Sequence, residues 1–578
     1  MFDLVISGGT VVDGTGAAPF PADVAVRDGR IVEVRPGIDA AAAERLDATG
    51  CVVTPGFVDV HTHYDGQVTW DDLLEPSSSH GVTTVAAGNC GVGFAPVRPG
   101  QQGWLVQLME GVEDIPGTSL HEGIQWAWES FPQYLDALEG RRWSMDVATF
   151  VPHGAVRAYV MGERGAANEA ATADDAAAMA RLVQESIEAG AFGFSTSRTF
   201  GHKARDGRPV PGTYAAIDEL LTIARGVRAG GGGLLEFALG TITPEDEHPL
   251  DEVRLVGELA EATGLPATWL LLQTRPDPTG WRRQLDTSLS LAARGVPITA
   301  QVAGRPFGVL LGFPTYHPFS RRPTYRRLAA TLPSDELIAE LLRPAIREAI
   351  LSEADTEPIP NAPGEGVAEL VSLNLDRLYT LGDDVDYEPG PERSVAAIAA
   401  ARGVDPLRLV YELCCEHDGR NLLLLPFFGY ADGDHSALYE MLTSPGTVLG
   451  LADGGAHCRL VCDASQPTTM LTHWIRDRVR GPRIDLATAV KRQTSETAAL
   501  IGLTDRGRVA SGLRADLNVV DLDGLRLHRP HAVDDLPAGG RRLLQQATGY
   551  VATVVAGAVT RRNGVDTGAR PGRLLRRH

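Results

Sequence analysis

Thr54-Pro-Gly-Phe-Val-Asp-Val-His-Thr-His-Tyr-Asp65 is a short apolar run that ends in two histidines one residue apart. On a strand, positions i and i+2 face the same way, so His61 and His63 turn their imidazoles to one side and can share one ion. The run is apolar without alternation, as expected of a strand covered on both faces in a parallel sheet. Outward from it the same theme recurs. Strand-like runs at 57–63, 83–90, 146–153, 191–197, 234–239, 267–273, 298–304 and 448–453 alternate with helical segments, the pattern of βα units. They predict an α/β fold, a (β/α)8 TIM barrel over residues 57–500, with the C-terminal strand ends gathered on one rim.

Between the third and fourth runs, residues 174–189 read as a helix that Thr172 caps, Asp175 completes as a capping box and Gly190 ends. The gap at about 305–447 is far longer than a βα loop, so it predicts an insertion beside the rim, with helices at 335–351 and 394–402 and a loop at 357–366. The chain ends read differently. Strands at 2–12 and on both sides of Asp28-Gly29, a dipeptide suited to a tight hairpin, make residues 1–56 all-β. Residues 501–578 carry further strands at 515–521 and 550–559, so the two ends predict one small β-sandwich built from both termini.

The composition limits what the chain can do. With 578 residues, 43% of them hydrophobic, it can bury a large core. The 53 basic and 74 acidic residues leave a charge of −21, the wrong sign for holding a nucleic acid. No apolar run approaches the roughly 20 residues needed to cross a membrane, and residues 1–10 lack the blocks of a signal peptide. Six scattered cysteines do not make a disulfide framework, so a cytoplasmic setting is expected. A small-molecule partner fits these limits, and a homo-oligomer is compatible with them.

Two more residues join the rim. Cys90 ends the second run, where its thiolate would be a soft ligand for zinc, although a buried inert cysteine is the alternative reading. The other five cysteines have no comparable setting. Asp453 ends the eighth run in Leu451-Ala-Asp-Gly-Gly-Ala-His457. There a carboxylate can bind a metal and also move a proton.

These motifs in this order resemble the amidohydrolase superfamily, and within it the N-acyl-D-amino-acid deacylase, or D-aminoacylase, family. Gly81-Val-Thr-Thr-Val-Ala-Ala-Gly-Asn-Cys-Gly91 is similar to that family's second-strand segment. Asp505-Arg-Gly507 and Gly512-Leu-Arg-Ala-Asp-Leu-Asn-Val-Val-Asp521 resemble the stretch where it returns to its sandwich. The resemblance implies that Cys90 is a zinc ligand, and that Asp453 takes a proton from metal-activated water and passes it to the leaving amine. The implied reaction is hydrolysis of an amide C–N bond, with N-acyl-D-amino acids as the family substrate.

The chain also departs from that family, which carries one histidine after strand 5 and another after strand 6. Here Leu234-Leu-Glu-Phe-Ala-Leu-Gly240 and Trp269-Leu-Leu-Leu-Gln-Thr-Arg275 contain none. Glu236 and Gln273 stand nearest the missing ligands, and Arg275 stands near the family's lysine. Glu236 could still donate an oxygen to zinc, whereas the Gln273 amide is a poor ligand. One zinc ion is therefore expected, on His61, His63, Asp453 and Cys90 with Glu236 as an additional candidate, and no full binuclear centre. Candidate substrate contacts are Arg275 and Gln273, His153 after strand 3, Arg198 and His202 after strand 4, and His457. Arg275 suits a substrate carboxylate through paired hydrogen bonds, with a surface arginine as the equal alternative. A cyclic amide, a carbamate or a specialised-metabolite amide would fit the same motifs, and a metal-free ligand-binding relative is the reading from another class.

Overall fold

The computed structural model describes residues 1–240, 249–360 and 362–577; Asn361, within the expected loop at 357–366, and His578 lie outside them. Phe2–Val11 (β1) pairs antiparallel with Phe20–Arg27 (β2), which turns back into Arg30–Arg35 (β3). The turn is Asp28-Gly29, with φ of 50° and 71°, the two positive angles that a tight hairpin of this kind needs. Ala42–Asp47 (β4) and Val52–Pro55 (β5) run parallel to β1. Leu517–Val520 then pairs with β5, placing Val519 opposite Val53, and Tyr550–Val555 pairs on its far side. Both chain ends thus build one nine-stranded sheet. Leu4, Ile6, Val24, Val53, Leu517 and Val519 pack one core, whereas Val5 and Ala25 pack another, as side-chain alternation requires.

The middle of the chain is α/β. Phe57–Asp59 (β6), Val82–Ala87 (β7) and Asp146–Thr149 (β8) form a three-stranded parallel sheet. Val151–Pro152 (β9), Gly193–Ser197 (β10), Leu234–Ala238 (β11), Ala267–Leu270 (β12) and Ile298–Val302 (β13) belong to a second parallel sheet. Gly308–Leu311 (β14), Tyr379–Thr380 (β15) and Leu423–Pro426 (β16) make a separate antiparallel sheet in the insertion. Thr447–Leu449 (β17) then completes the second parallel sheet as its sixth strand, beside β13. Each of the eight strand-like runs contains a strand, and they lie in two sheets, not one closed ring.

The two parallel sheets meet at both ends. Phe150 alone separates β8 from β9. At the other junction, past the end of β6, Thr62 N–H donates to Ala86 O at 3.0 Å and His63 N–H donates to Gly454 O at 2.8 Å. The histidine segment is therefore held by β7 on one side and by the stretch after β17 on the other.

The helix Ala173–Glu188 has its capping box, with Thr172 accepting from the Asp175 N–H and Asp175 accepting from the Thr172 N–H. In the insertion the single helix expected at 335–351 is two, Ser334–Leu341 and Pro344–Ser352. Pro344 has no N–H to continue the first, so it opens the second. Val395–Arg402 forms as expected, with Ser394 Oγ accepting from Ala397 N–H.

Candidate metal centre

Asp59, the last residue of β6, accepts the His61 N–H on Oδ1 at 3.1 Å and so fixes the backbone that carries the first imidazole. His61 Nδ1 lies 3.1 Å from Oε1 of Gln301, on β13. An amide oxygen only accepts, so Nδ1 carries the ring proton and Nε2 offers its lone pair. That Nε2 is 3.3 Å from Cys90 Sγ and 3.6 Å from Asp453 Oδ1. His63 is placed similarly but without a hydrogen bond at Nδ1, which lies 3.3 Å from Glu113 Oε1, while its Nε2 is 3.8 Å from Asp453 Oδ1. Both rings turn Nε2 toward Asp453, and the His61 ring is held from behind by its Nδ1 hydrogen bond. His61, His63 and Cys90 each offer a ligand atom within 4.8 Å of the others.

The residues that join the histidines do so from unusual backbone. Cys90, Asp453 and His457 have φ of 54°, 50° and 48°, a left-handed conformation that is uncommon outside glycine and gathers at functional sites. Gly88, two residues before Cys90, has φ of 84°, and a Cβ there would stand 2.3 Å from Phe150 O. The turn that presents Cys90 therefore needs glycine at that position. The Cys90 N–H donates to Glu236 Oε2 at 3.0 Å. Glu236 Oε1 has no hydrogen-bond partner and lies 3.8 Å from His61 Nδ1. Glu236 thus stands nearest Nδ1 of His61 and, like Asp453, is outside the three-residue ligand cluster.

Burial dominates the electrostatics. It pushes His61 down to about 3, holds His63 well below the ordinary imidazole range and lifts Glu236 to about 8. It also raises the Cys90 thiol and the Glu113 and Asp453 carboxyls well above their usual values, and neighbouring carboxylates add to each rise. Among the described residues, the ion pairs of Glu113, Glu236 and Asp453 are with histidines alone. Buried acids without a cationic partner cannot all ionise, and a divalent cation at the centre removes that penalty. Two imidazoles, a thiolate and a carboxylate form a donor set suited to zinc.

Glu113 and Gln301 escaped the sequence reading. Gln301 could have been found as a polar residue inside an apolar strand. Glu113 closes the helix Gln102–Glu113 (α1) in the long connection after β7, and nothing in its spacing marks it.

Of the remaining candidates, His202 and His457 lie near enough to the cluster for their charges to act on His61 and His63. His202 Nδ1 is 2.9 Å from Ser197 Oγ, and burial pushes its pKa down to about 4. His457 Nε2 is 3.6 Å from Glu113 Oε2. The others are engaged elsewhere. Arg198 spans both oxygens of Glu252 at 2.6 and 2.9 Å. Gln273 donates to Asp432 Oδ2 at 2.7 Å and accepts from Ala431 N–H at 3.0 Å, tying β12 to the end of the insertion. Arg275 is half exposed and donates to Asn374 Oδ1 at 2.8 Å. None of these three side chains joins the histidines.

His153 is also spoken for. Its Nδ1 is 2.8 Å from Thr196 Oγ1 and its Nε2 is 3.1 Å from Glu219 Oε1, which Arg157 Nε reaches at 2.9 Å. Both ring nitrogens are used, so the ring fixes β9 against β10 and is not available to polarise a carbonyl. Burial alone would raise the Glu219 pKa, but hydrogen bonds and charge from His153 and Arg157 outweigh it and bring the pKa to about 2. Glu219→Gln leaves the Arg157 guanidinium buried with a neutral partner. Urea unfolding is expected to show a loss of about 3–5 kcal/mol, with the metal content of the folded protein unchanged; a loss under about 1 kcal/mol would show that the pair is not a structural tie.

The spatial convergence of the strand ends extends to a likeness along the whole chain. The model of the Amidohydrolase family matches residues 44–561. The chain belongs to the amidohydrolase family. Its relatives include the D-aminoacylase of Alcaligenes xylosoxydans xylosoxydans, 29% identical over 100% of this chain and 98% of that protein. A D-aminoacylase structure with a binuclear metal center, showing one-metal activation and second-metal attenuation, superposes with a TM-score of 0.65 at 25% identity, covering 100% of each chain. The N-acyl-D-glutamate deacylase of Bordetella bronchiseptica, solved with zinc and a phosphonate inhibitor, shares the fold with a TM-score of 0.64 at 24% identity, covering 100% of this chain and 99% of that one. Like its family, this amidohydrolase cleaves amide-type C–N bonds. Among its described residues, no helix is long and apolar enough to cross a membrane.

Proposed function

We propose that this amidohydrolase removes the acyl group from an N-acyl-D-amino acid, using one zinc ion held by His61, His63, Cys90 and Asp453. The observation that carries the reading is the approach of Asp453 Oδ1 to within 3.6 and 3.8 Å of the two histidine Nε2 atoms, one of which also lies 3.3 Å from the Cys90 thiol. In this reading the two parallel sheets are arcs of a (β/α)8 barrel over residues 57–500, and the terminal sheet belongs to a small sandwich from 1–56 and 501–578.

Zinc supplies, when bound, a Lewis acid that polarises the substrate carbonyl and acidifies water. Asp453 takes a proton from the water as its oxygen bonds to the acyl carbon, then delivers it to the nitrogen as the C–N bond breaks. The products are a carboxylic acid and a free amine. Gln301 holds the His61 ring by its Nδ1, so that Nε2 keeps its lone pair, and Glu113 stands beside Nδ1 of His63. His202 and His457 line the approach and are the groups placed to meet the substrate. With no histidine at the ends of β11 and β12, a second ion lacks those two ligands, for Glu236 accepts the Cys90 N–H on one oxygen and Gln273 is tied to Asp432. One-metal activation in the D-aminoacylase relative supports a centre that works with a single ion.

A panel of N-acetyl and N-butanoyl D- and L-amino acids, read by amine release, tests the substrate. Turnover of at least one D series is expected to exceed its L counterpart about 100-fold, a discrimination of roughly 2.7 kcal/mol. Hydrolysis of hydantoins or carbamates with neither amino-acid series cleaved would move the reading to those amides, and cleavage of the L series alone would reverse the stereochemistry.

A further inference from the structure

Glu388, His435 and His473 form a second convergent cluster that shares no residue with the catalytic one. Glu388 belongs to the insertion, His435 opens the helix Ser436–Thr443, and His473 begins a π-helical turn that ends at Asp477. Three parts of the chain, distant in sequence, thus meet at one point.

We propose that these three side chains bind a structural zinc ion that staples the insertion to the body of the protein. His435 Nδ1 is 3.0 Å from His473 Nε2, His473 Nε2 is 3.1 Å from Glu388 Oε2, and His435 Nδ1 is 3.8 Å from that same oxygen. Zinc bonds of 2.0–2.2 Å in a tetrahedron put neighbouring ligand atoms about 3.4 Å apart, so these three distances bracket the required spacing. His435 Nε2 lies 3.0 Å from Tyr387 O. A carbonyl accepts, so that nitrogen holds the ring proton and Nδ1 presents its lone pair to the cluster, the arrangement found behind metal-bound histidines. The Glu388 carboxylate is braced in turn, by Arg478 Nε and Nη2 at 3.1 Å each and by the His435 N–H at 2.7 Å. Glu388 and His435 are buried, whereas the His473 side chain is 16% exposed, which leaves an approach for the ion and room for water as a fourth ligand. Because Arg478 offsets part of the carboxylate charge, this site fills at higher free zinc than the catalytic centre.

The competing arrangement has the same distances with a proton in place of zinc: His473 Nε2–H shared between Glu388 Oε2 and His435 Nδ1. Counting zinc separates the two. The full-length protein and His473→Ala are loaded with zinc, desalted and analysed for metal, with amide hydrolysis measured alongside. The wild type is expected to hold one equivalent more than His473→Ala, and turnover of the variant to stay within about twofold. Equal zinc in both proteins would overturn the proposal and leave a hydrogen-bonded triangle. If His473→Ala does not fold, the His61→Asn/His63→Asn double variant, whose insertion is intact, is titrated with zinc. One equivalent is expected there, and none would equally overturn the proposal.

Discussion

Asp453→Asn is expected to keep its zinc and lose amide hydrolysis by about 10²–10⁴-fold, the contribution of a positioned general acid–base group. The amide has nearly the shape of the carboxylate and still offers an oxygen, but it cannot accept a proton at neutral pH. Metal retention follows because His61, His63 and Cys90 converge without it. Loss of turnover follows from what surrounds it: among the described residues Asp453 pairs only with the two histidines, both buried and held far below their usual pKa by that burial. Neither could take over the proton with its Nε2 committed to a bound ion. The measurements are kcat by amine release and zinc per chain on the same preparation. Undiminished kcat with zinc in place would remove Asp453 from proton transfer, and loss of both together would make it a ligand first.

The same residue shows what a sequence can disclose. The convergence of His61, His63, Cys90 and Asp453 is legible because each follows the end of a strand by a few residues, and strand ends in a parallel βα array share a rim whatever the detailed packing. The Asp28-Gly29 hairpin and the Thr172–Asp175 box are legible because backbone chemistry decides them locally. Partners are different. Arg198, Gln273 and His153 also follow strands, yet each is claimed by a residue that tertiary packing brings in, namely Glu252, Asp432 and Glu219. Position gives a side chain its neighbourhood, and the competition among donors and acceptors decides its contacts. Glu113 is the converse. It reaches His63 because α1 packs its C-terminal end over the rim, and no spacing in the chain encodes that distance. In the insertion the helix at 394–402 was legible and that at 335–351 was legible except at Pro344, where a missing N–H outweighed an otherwise helical pattern, whereas Pro406–Gly419 was not read.

Loss of the catalytic zinc is the larger expected effect of changing the histidine pair. His61→Asn and His63→Asn, each made in a His473→Ala background so that the insertion cluster contributes nothing, should fall from one equivalent of zinc to below about a tenth, with hydrolysis lost in proportion. Catalytic zinc sites use three protein ligands plus an open position. With Asp453 occupied in proton transfer, removing one imidazole leaves a single imidazole and a thiolate as the remaining dedicated donors. Glu236 does not repair the deficit, because its carboxylate accepts the Cys90 N–H and its nearest approach to His61 is 3.8 Å, at Nδ1. Glu113 is equally misplaced, behind Nδ1 of His63. An asparagine in place of either histidine keeps the polar surface but falls short of the point where the Nε2 atoms are aimed. Zinc by elemental analysis after desalting is the readout. If either variant retained its full equivalent, one of the two standing carboxylates would have moved in as a ligand, and the one-ion centre built on the histidine pair would be wrong.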